Sequence, residues 1–418
     1  LTVVIATSAD LVSSGRAESN WPRWRGPNQD GQSAETDLPI TWDDSNVAWK
    51  IELPGIGQSS PVIWGERMFM TAAKEKGRER IVFCVDRNDG KLLWQHTAWT
   101  GDPEPSHVMN GWASATCVTD GEVVVAFFGR GGMHAYSLDG KPLWTKDLGP
   151  FESPWGVAAC PVLYGDLVIQ NGDADENAFI AAFDKKTGSE VWRTKRPDNR
   201  GWSTPILVKV DGHDELVLNG DDGVRGYNPK NGDELWFCAS VKGRGEPTVT
   251  PAGDMLCVVN GLGGEFYAVH PGGKGDVTGS RVVWHTPRKG GRDCPSPIVV
   301  GKYVIVSDMA GIVTCYQTTD GVELWKERVS GKTSGSPFAA GGLVYLQNEN
   351  GQTFVIRPGP KLDVVATNTL TASDQAEVFR ASLVPSEGQI FSRSDRMLRC
   401  IGTRKRSTTA SAHRGTNQ

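Results

Sequence analysis

Short apolar runs broken by glycine or by polar turn residues recur along the whole chain. Residues 297–307, Pro-Ile-Val-Val-Gly-Lys-Tyr-Val-Ile-Val-Ser, read as strand, glycine turn, strand. A second phrase follows each of these: a strand, a tight turn, and a strand ending in tryptophan, as from Thr314 to Trp325. The turn carries an Asp-Gly, Asn-Gly or Thr-Gly pair, whose glycine takes the positive φ that a tight hairpin demands. The pair recurs at Asp89-Gly90, Asp139-Gly140, Thr187-Gly188, Asn231-Gly232 and Asp320-Gly321. Strands joined this closely predict antiparallel sheets and little helix.

The tryptophans set the period. They stand at Trp49, Trp94, Trp144, Trp192, Trp236, Trp284 and Trp325, at intervals of 45, 50, 48, 44, 48 and 41 residues. A small residue precedes most of them by nine or ten positions: Cys84, Ala135, Ala182, Gly226 and Cys315. Before Trp284 the gap is sixteen, to Ala268, because Pro271 to Thr278 lengthens that hairpin. The same rule predicts a seventh copy without tryptophan, Val355 with Val365, and an eighth with Cys400 but no strand after it. A third marker opens each unit, at Ser60-Pro61, Cys160-Pro161, Thr204-Pro205, Glu246-Pro247, Ser296-Pro297 and Ser336-Pro337. Thr116 and Leu383 take that place in the other two copies.

Eight four-stranded units cannot each bury two sheet faces alone, so they must pack in a ring. The predicted fold is all-β, an eight-bladed β-propeller of four-stranded antiparallel blades. Its last unit lacks an outer strand, and the chain begins with an unpartnered one around Trp49. That strand is expected to complete the last blade, which closes the ring and removes an exposed sheet edge.

Composition changes this picture little. The chain has 418 residues, with 50 glycines and 24 prolines, which suits many tight turns. A net charge of −5 gives no support for a nucleic-acid partner. Residues 1–20 open on Leu1-Thr-Val-Val-Ile-Ala, which reads as the remnant of a secretory signal and predicts export to the periplasm, cell envelope or medium. No later apolar run is long enough to span a bilayer as a helix. Residues 21–402 form the expected single propeller, and 403–418 a disordered basic tail. The chain is expected to act as a monomer.

The order Ser-Pro, strand, Gly, strand, small residue, Asp/Asn/Thr-Gly, Leu/Val-Trp resembles the repeat of the pyrroloquinoline-quinone (PQQ)-like propeller family. WD-type repeats do not fit, since Lys50, Gln95 or Thr145 and not Asp follows the tryptophan. The opening Trp21-Pro-Arg-Trp24-Arg-Gly-Pro-Asn28 is similar to the leader of exported bacterial members. The family includes quinoprotein dehydrogenases and outer-membrane assembly factors of the BamB type. It implies an eight-bladed ring and an envelope location, but it does not imply PQQ binding.

The chemistry of a quinoprotein has a recognisable residue set: Ca²⁺ held by Glu, Asn and Asp, an Asp base, and often a disulfide of adjacent cysteines. The eight cysteines here lie at least 19 residues apart. Asp173-Ala-Asp175-Glu176-Asn177 has the acidic alternation of a calcium loop, yet its sixth and twelfth positions are Ala178 and Asp184, where Gly and Glu are required. An acidic solvated turn is the simpler reading, and neither a metal nor a catalytic residue is assigned. PQQ and calcium enter only with the alternative, an alcohol or sugar dehydrogenase.

What the pattern does place is a channel mouth. The segment ahead of each innermost strand should line it, bringing Trp112, Trp155, Arg200, Trp202, Arg244, Glu246, Arg292, Asp293 and Arg380 together. Loops between second and third strands add Asn171 and Asp173, with Arg130, Asn219 and Asp308. Tryptophans and arginines around a funnel suit a planar anion, a carbohydrate or a peptide. The rival reading is that the charges pair across the rim and do no more. The expected function is therefore a non-catalytic exported scaffold that binds an envelope protein or a small ligand at this mouth.

Overall fold

The computed structural model describes residues 20–151, 153–240, 243–262, 265–288, 295–371 and 376–404. They form eight sheets, each built on four antiparallel strands, and only short helical turns; two of the sheets gain a fifth, parallel strand, Gln32–Ser33 and Gly275–Asp276. The innermost strands of blades 1 to 8 are Val62–Trp64, Val118–Thr119, Val162–Tyr164, Ile206–Val210, Thr250–Ala252, Ile298–Val300, Phe338–Ala340 and Val384–Ser386. Buried apolar clusters lie between neighbouring blades, which is how a sheet with two apolar faces avoids water.

The early strand closes the ring. Val47–Glu52 lies antiparallel to Met397–Ile401 and forms the outer strand of blade 8. Trp49 stands opposite Cys400, as Trp94 does opposite Cys84 and Trp236 opposite Gly226. The small residue thus faces the tryptophan across the strands. At Gly226 an added Cβ would sit 2.2 Å from the Trp236 indole nitrogen, so even alanine is excluded.

Each indole docks on the next blade. Trp94 lies against Gly140, Trp144 against Gly188, Trp192 against Gly232 and Trp284 against Gly321. These are the glycines of the hairpin turns, with φ from 69° to 86°. The indole N–H donates to a carbonyl of that blade, as from Trp94 to Leu138 at 2.9 Å. Trp49 closes the packing pattern by lying against Gly90 of blade 1, but its indole N–H meets no acceptor among the described residues. Trp236 departs from it because the lengthened hairpin of blade 5 presents no such turn. Its indole donates to Glu215 at 2.6 Å, and the insertion folds back so that Gly275 pairs beside it.

The seventh copy also departs, for a clear reason. Blade 8 takes its outer strand from the start of the chain, so it has no hairpin there to receive an indole. Ala366, one position beyond the expected Val365, stands opposite Val355, and Val365 is the extra residue of the bulge. Trp42 from the N-terminal segment enters the same cluster, stacked on Tyr345 at 6.4 Å with its backbone N–H donating to Asn368.

Two of the unit markers are shifted. The head of each innermost strand carries a side chain that accepts the backbone N–H of the preceding blade, and these bonds form a closed circle. Its members are Ser60, Thr116, Cys160, Thr204, Thr248, Ser296, Ser336 and Ser382. In blade 5 the marker is Thr248, two residues beyond Glu246. In blade 8 it is Ser382, with Leu383 in the place of proline.

Candidate functional site

The circle surrounds the channel, and the leader crosses beneath it. Trp21 bridges to Ile63, Pro22 accepts from Thr119, Gln29 bonds Pro205 and Leu207, and Gly31 accepts from Ala339. Arg25 reaches Thr250 and Pro297. All these partners lie one to three residues past the circle on their strands. The leader therefore spans the channel on the side away from the strand-to-strand connections, and Trp24 becomes the floor. The channel is a cup.

The cup encloses about 210 Å³. Trp24, Trp155, Trp202, His107 and Met109 give it aromatic and apolar walls, and Gln58, Asn110, Ser114, Glu246 and Arg380 face it with polar groups. Five members of the hydroxyl circle, with Cys160, lie at its base. Burial pushes the Cys160 thiol up, against hydrogen bonds to Thr204 and Thr116 that pull it down. The thiol is a packed member of the circle and not an activated nucleophile.

A loop from the first connection partly roofs the cup. His107 packs on Trp155 with ring centroids 4.5 Å apart, and the Asn110 amide donates to the Trp155 carbonyl at 2.9 Å. On the other side Arg380 donates to the carbonyl of Val108 at 3.2 Å. Val108 itself is 79% exposed at the apex. Sequence reasoning missed this roof and the floor, since neither Trp24 nor His107 sits at a repeated position.

The predicted site residues divide. Trp155, Trp202, Glu246 and Arg380 line the cup, and Arg244 stands over the Trp155 ring at 5.1 Å. Trp112 does not reach it, because its indole lies against Gly77 and donates to Glu104 of its own loop. Asp173 pairs with Arg196 at 2.6 Å, both buried, and Arg200 pairs with Asp175 at 2.7 Å. Asn171 is buried and donates to Ser203, and Asn219 donates likewise to Pro247. Arg130 is exposed. Arg292 and Asp293 lie outside the described residues.

Charge in the cup is largely committed. Arg380 pairs with Glu349 at 3.2 Å, and Ser334 donates to the same carboxylate at 2.6 Å. Burial raises the Glu349 carboxyl, but those hydrogen bonds and the charges of Arg380 and Lys332 outweigh it and hold it below the usual range. PQQ with calcium would need several carboxylates and an amide around one ion. The described lining offers one carboxylate, Glu246, and no three His, Cys, Asp or Glu side chains gather among the described residues. The seven described cysteines are buried and free. These residues do not assemble the set that the cofactor requires.

Fold and cup define the class: an eight-bladed propeller of PQQ-like repeats with a channel closed at one end. The family model described as outer membrane protein assembly factor BamB matches residues 33–148, 78–272 and 274–359, and the chain belongs to that family. An outer membrane protein assembly factor BamB of Burkholderia pseudomallei is 24% identical over 322 residues, covering 71% of this chain and 75% of that protein. Methanol dehydrogenase [cytochrome c] subunit 1 of Methylorubrum extorquens is 26% identical over 167 residues, 36% of this chain and 26% of its own length. The crystal structure of BamB from Moraxella catarrhalis superposes with a TM-score of 0.62 at 17% identity, covering 85% of this chain and 98% of that one. Among the described residues no helix is long and apolar enough to cross a membrane.

Proposed function

We propose that this chain is a non-catalytic, exported propeller that binds an envelope protein or a small ligand at the open mouth of its cup. The observation that carries the reading is the division of labour in the lining. Its aromatic and apolar walls face the cavity, while the one arginine of the described lining, Arg380, is already tied to Glu349, so the cup offers mainly binding surface. The similarity to an outer membrane protein assembly factor over 71% of the chain supports an envelope partner. A monomer fits the same reading, because the last blade is completed from within the chain.

The second reading is a PQQ- and calcium-dependent alcohol or sugar dehydrogenase, favoured by the match to methanol dehydrogenase subunit 1. Two measurements separate them. The purified chain is incubated with PQQ and CaCl₂, desalted, and assayed for bound quinone absorbance and dye-linked oxidation of methanol, ethanol and glucose. A photo-crosslinking residue at Val108, on the roof of the cup, is irradiated in cells and compared with one at Val322, in the exposed turn before the outer strand of blade 6. A defined crosslink to an envelope protein from Val108 alone, without quinone retention, supports binding. Retained PQQ with dye reduction overturns it in favour of the dehydrogenase.

A further inference from the structure

Beneath Trp24 lies a second, smaller space that shares Trp24, Ser60, Ser336 and Ser382 with the cup. It offers room for about one water-sized species, roughly 10 Å³. Arg25 and three members of the hydroxyl circle, Ser60, Ser336 and Ser382, bound it together with Trp24.

Its polar lining is rich in donors. Each of the three hydroxyls accepts a backbone N–H, from Ser382, Ser296 and Ser336 respectively. None of them donates to a described residue, so each keeps a proton for whatever occupies the space. Arg25 is only 3% exposed and uses one nitrogen, Nη2, for carbonyls of Asp30 and Pro297 and the Thr250 hydroxyl. Its Nε and Nη1 are buried and meet no acceptor among the described residues. Burial pushes this guanidinium down to about 10, with the charge of Asp30 opposing, so it stays cationic at neutral pH. Asp30 meets it through its backbone carbonyl and not through a carboxylate bond.

A buried cation without a bonded carboxylate is costly unless something of opposite charge or strong acceptor character lies against it. The space adds three hydroxyl donors to the two unused guanidinium nitrogens, Nε and Nη1, which carry three N–H groups. Water would use its lone pairs here and leave its own protons facing donors. A monatomic anion has acceptor capacity on every side and also answers the charge. We infer that this small space binds a monovalent anion of halide size, which locks the leader and its Trp24 floor onto the ring. The inference is independent of what enters the cup.

The test is thermal unfolding of the full chain in sodium chloride or bromide against sodium gluconate at matched ionic strength. Saturable halide binding to the folded state raises the midpoint by about 2 °C, and Arg25→Met removes that rise. Wild-type crystals grown in bromide give a second readout that does not depend on the variant folding: an anomalous peak in contact with Ser60, Ser336 and Ser382. Equal midpoints in all three salts with no bromide peak would mean that the space holds water only, and would overturn the site. A halide effect that persists in Arg25→Met overturns it equally.

Discussion

The backbone N–H of Ser382 donates to the side-chain oxygen of Ser60 at 3.0 Å across 322 residues, and this bond closes the circle of eight. Each link joins one blade to the next at the channel wall. Cys160 is the one sulfur in it, accepting from Thr116 at 3.2 Å. Covalent continuity ends at blade 8, so closure rests on non-covalent contacts: the link from Ser382 to Ser60, the outer strand at Trp49, and buried bonds such as those from Arg393 to Ser59 and Thr71.

Ser60→Ala should therefore cost more than a surface serine. It leaves the Ser382 N–H buried with no acceptor, a penalty of about 1–3 kcal/mol. Ser60→Thr restores the oxygen and should recover most of it, as Thr116 and Thr204 already serve in other blades. Urea unfolding checks this: the midpoint falls for alanine with an unchanged slope, and a midpoint equal to wild type would show the link contributes nothing.

Trp42 makes the second prediction. It is 6% exposed and fills the seam between blades 7 and 8, where no hairpin can receive an indole. Trp42→Ala should cost about 3–5 kcal/mol, the range for removing a buried aromatic side chain. Deleting everything before Glu52 removes Trp42, Trp49 and the Trp24 floor together and should prevent closure. A truncated chain with native near-ultraviolet circular dichroism would contradict it.

The repeat was legible because its physics is local and periodic. A small residue opposite Trp94, Trp192 or Trp325, and a positive-φ glycine in the following turn, leave spaced marks that any copy can reveal. The missing outer strand at Cys400 likewise pointed to Trp49. The cup was legible only in part, since its walls come from connections of unequal length. Trp112 sits in such a segment but turns onto Gly77, and Glu246 stands two residues off the register that Thr248 keeps. Trp24 becomes the floor through bonds from leader to ring up to 308 residues away, as from Gly31 to Ala339, and nothing periodic records those.

Acid sensitivity should concentrate where the end of the described chain is clasped. Arg404 pairs with Glu66 at 2.7 Å and with Glu387 at 2.5 Å. The Arg404 hydrogen bond is the largest cause holding Glu66 at about 2, down from 4.5. Glu387 is also held low, with burial opposing and Arg404 and Arg87 prevailing. Because these folded values lie below the unfolded ones, their stabilisation is complete above the ordinary carboxylate range and is lost as pH falls toward the folded values. Stability should thus decline from about pH 4.5 to 2. Glu35 works in the opposite sense, since burial raises its carboxyl despite the N–H bonds from Gly388 and Glu387. Glu66→Gln should flatten the decline measured by chemical unfolding across that window; an unaltered slope would place the acid sensitivity elsewhere.

Access to the cup should depend on Arg380. Its guanidinium ties the roof at Val108 to the buried carboxylate of Glu349, while the other end of the roof rests on Trp155 through His107 and Asn110. Arg380→Met keeps the apolar stem but removes both bonds, so the roof is held from one side only. Glu349 retains Ser334 and Lys332, which limits the loss of stability to about 1–3 kcal/mol and leaves the blades intact. The expected signature is local: faster amide exchange across residues 104–112 with unchanged protection of the strand Gln389–Arg393 in blade 8. If exchange at the roof stays at the wild-type rate, the Val108 contact is incidental and the mouth is governed by His107 and Trp155 alone.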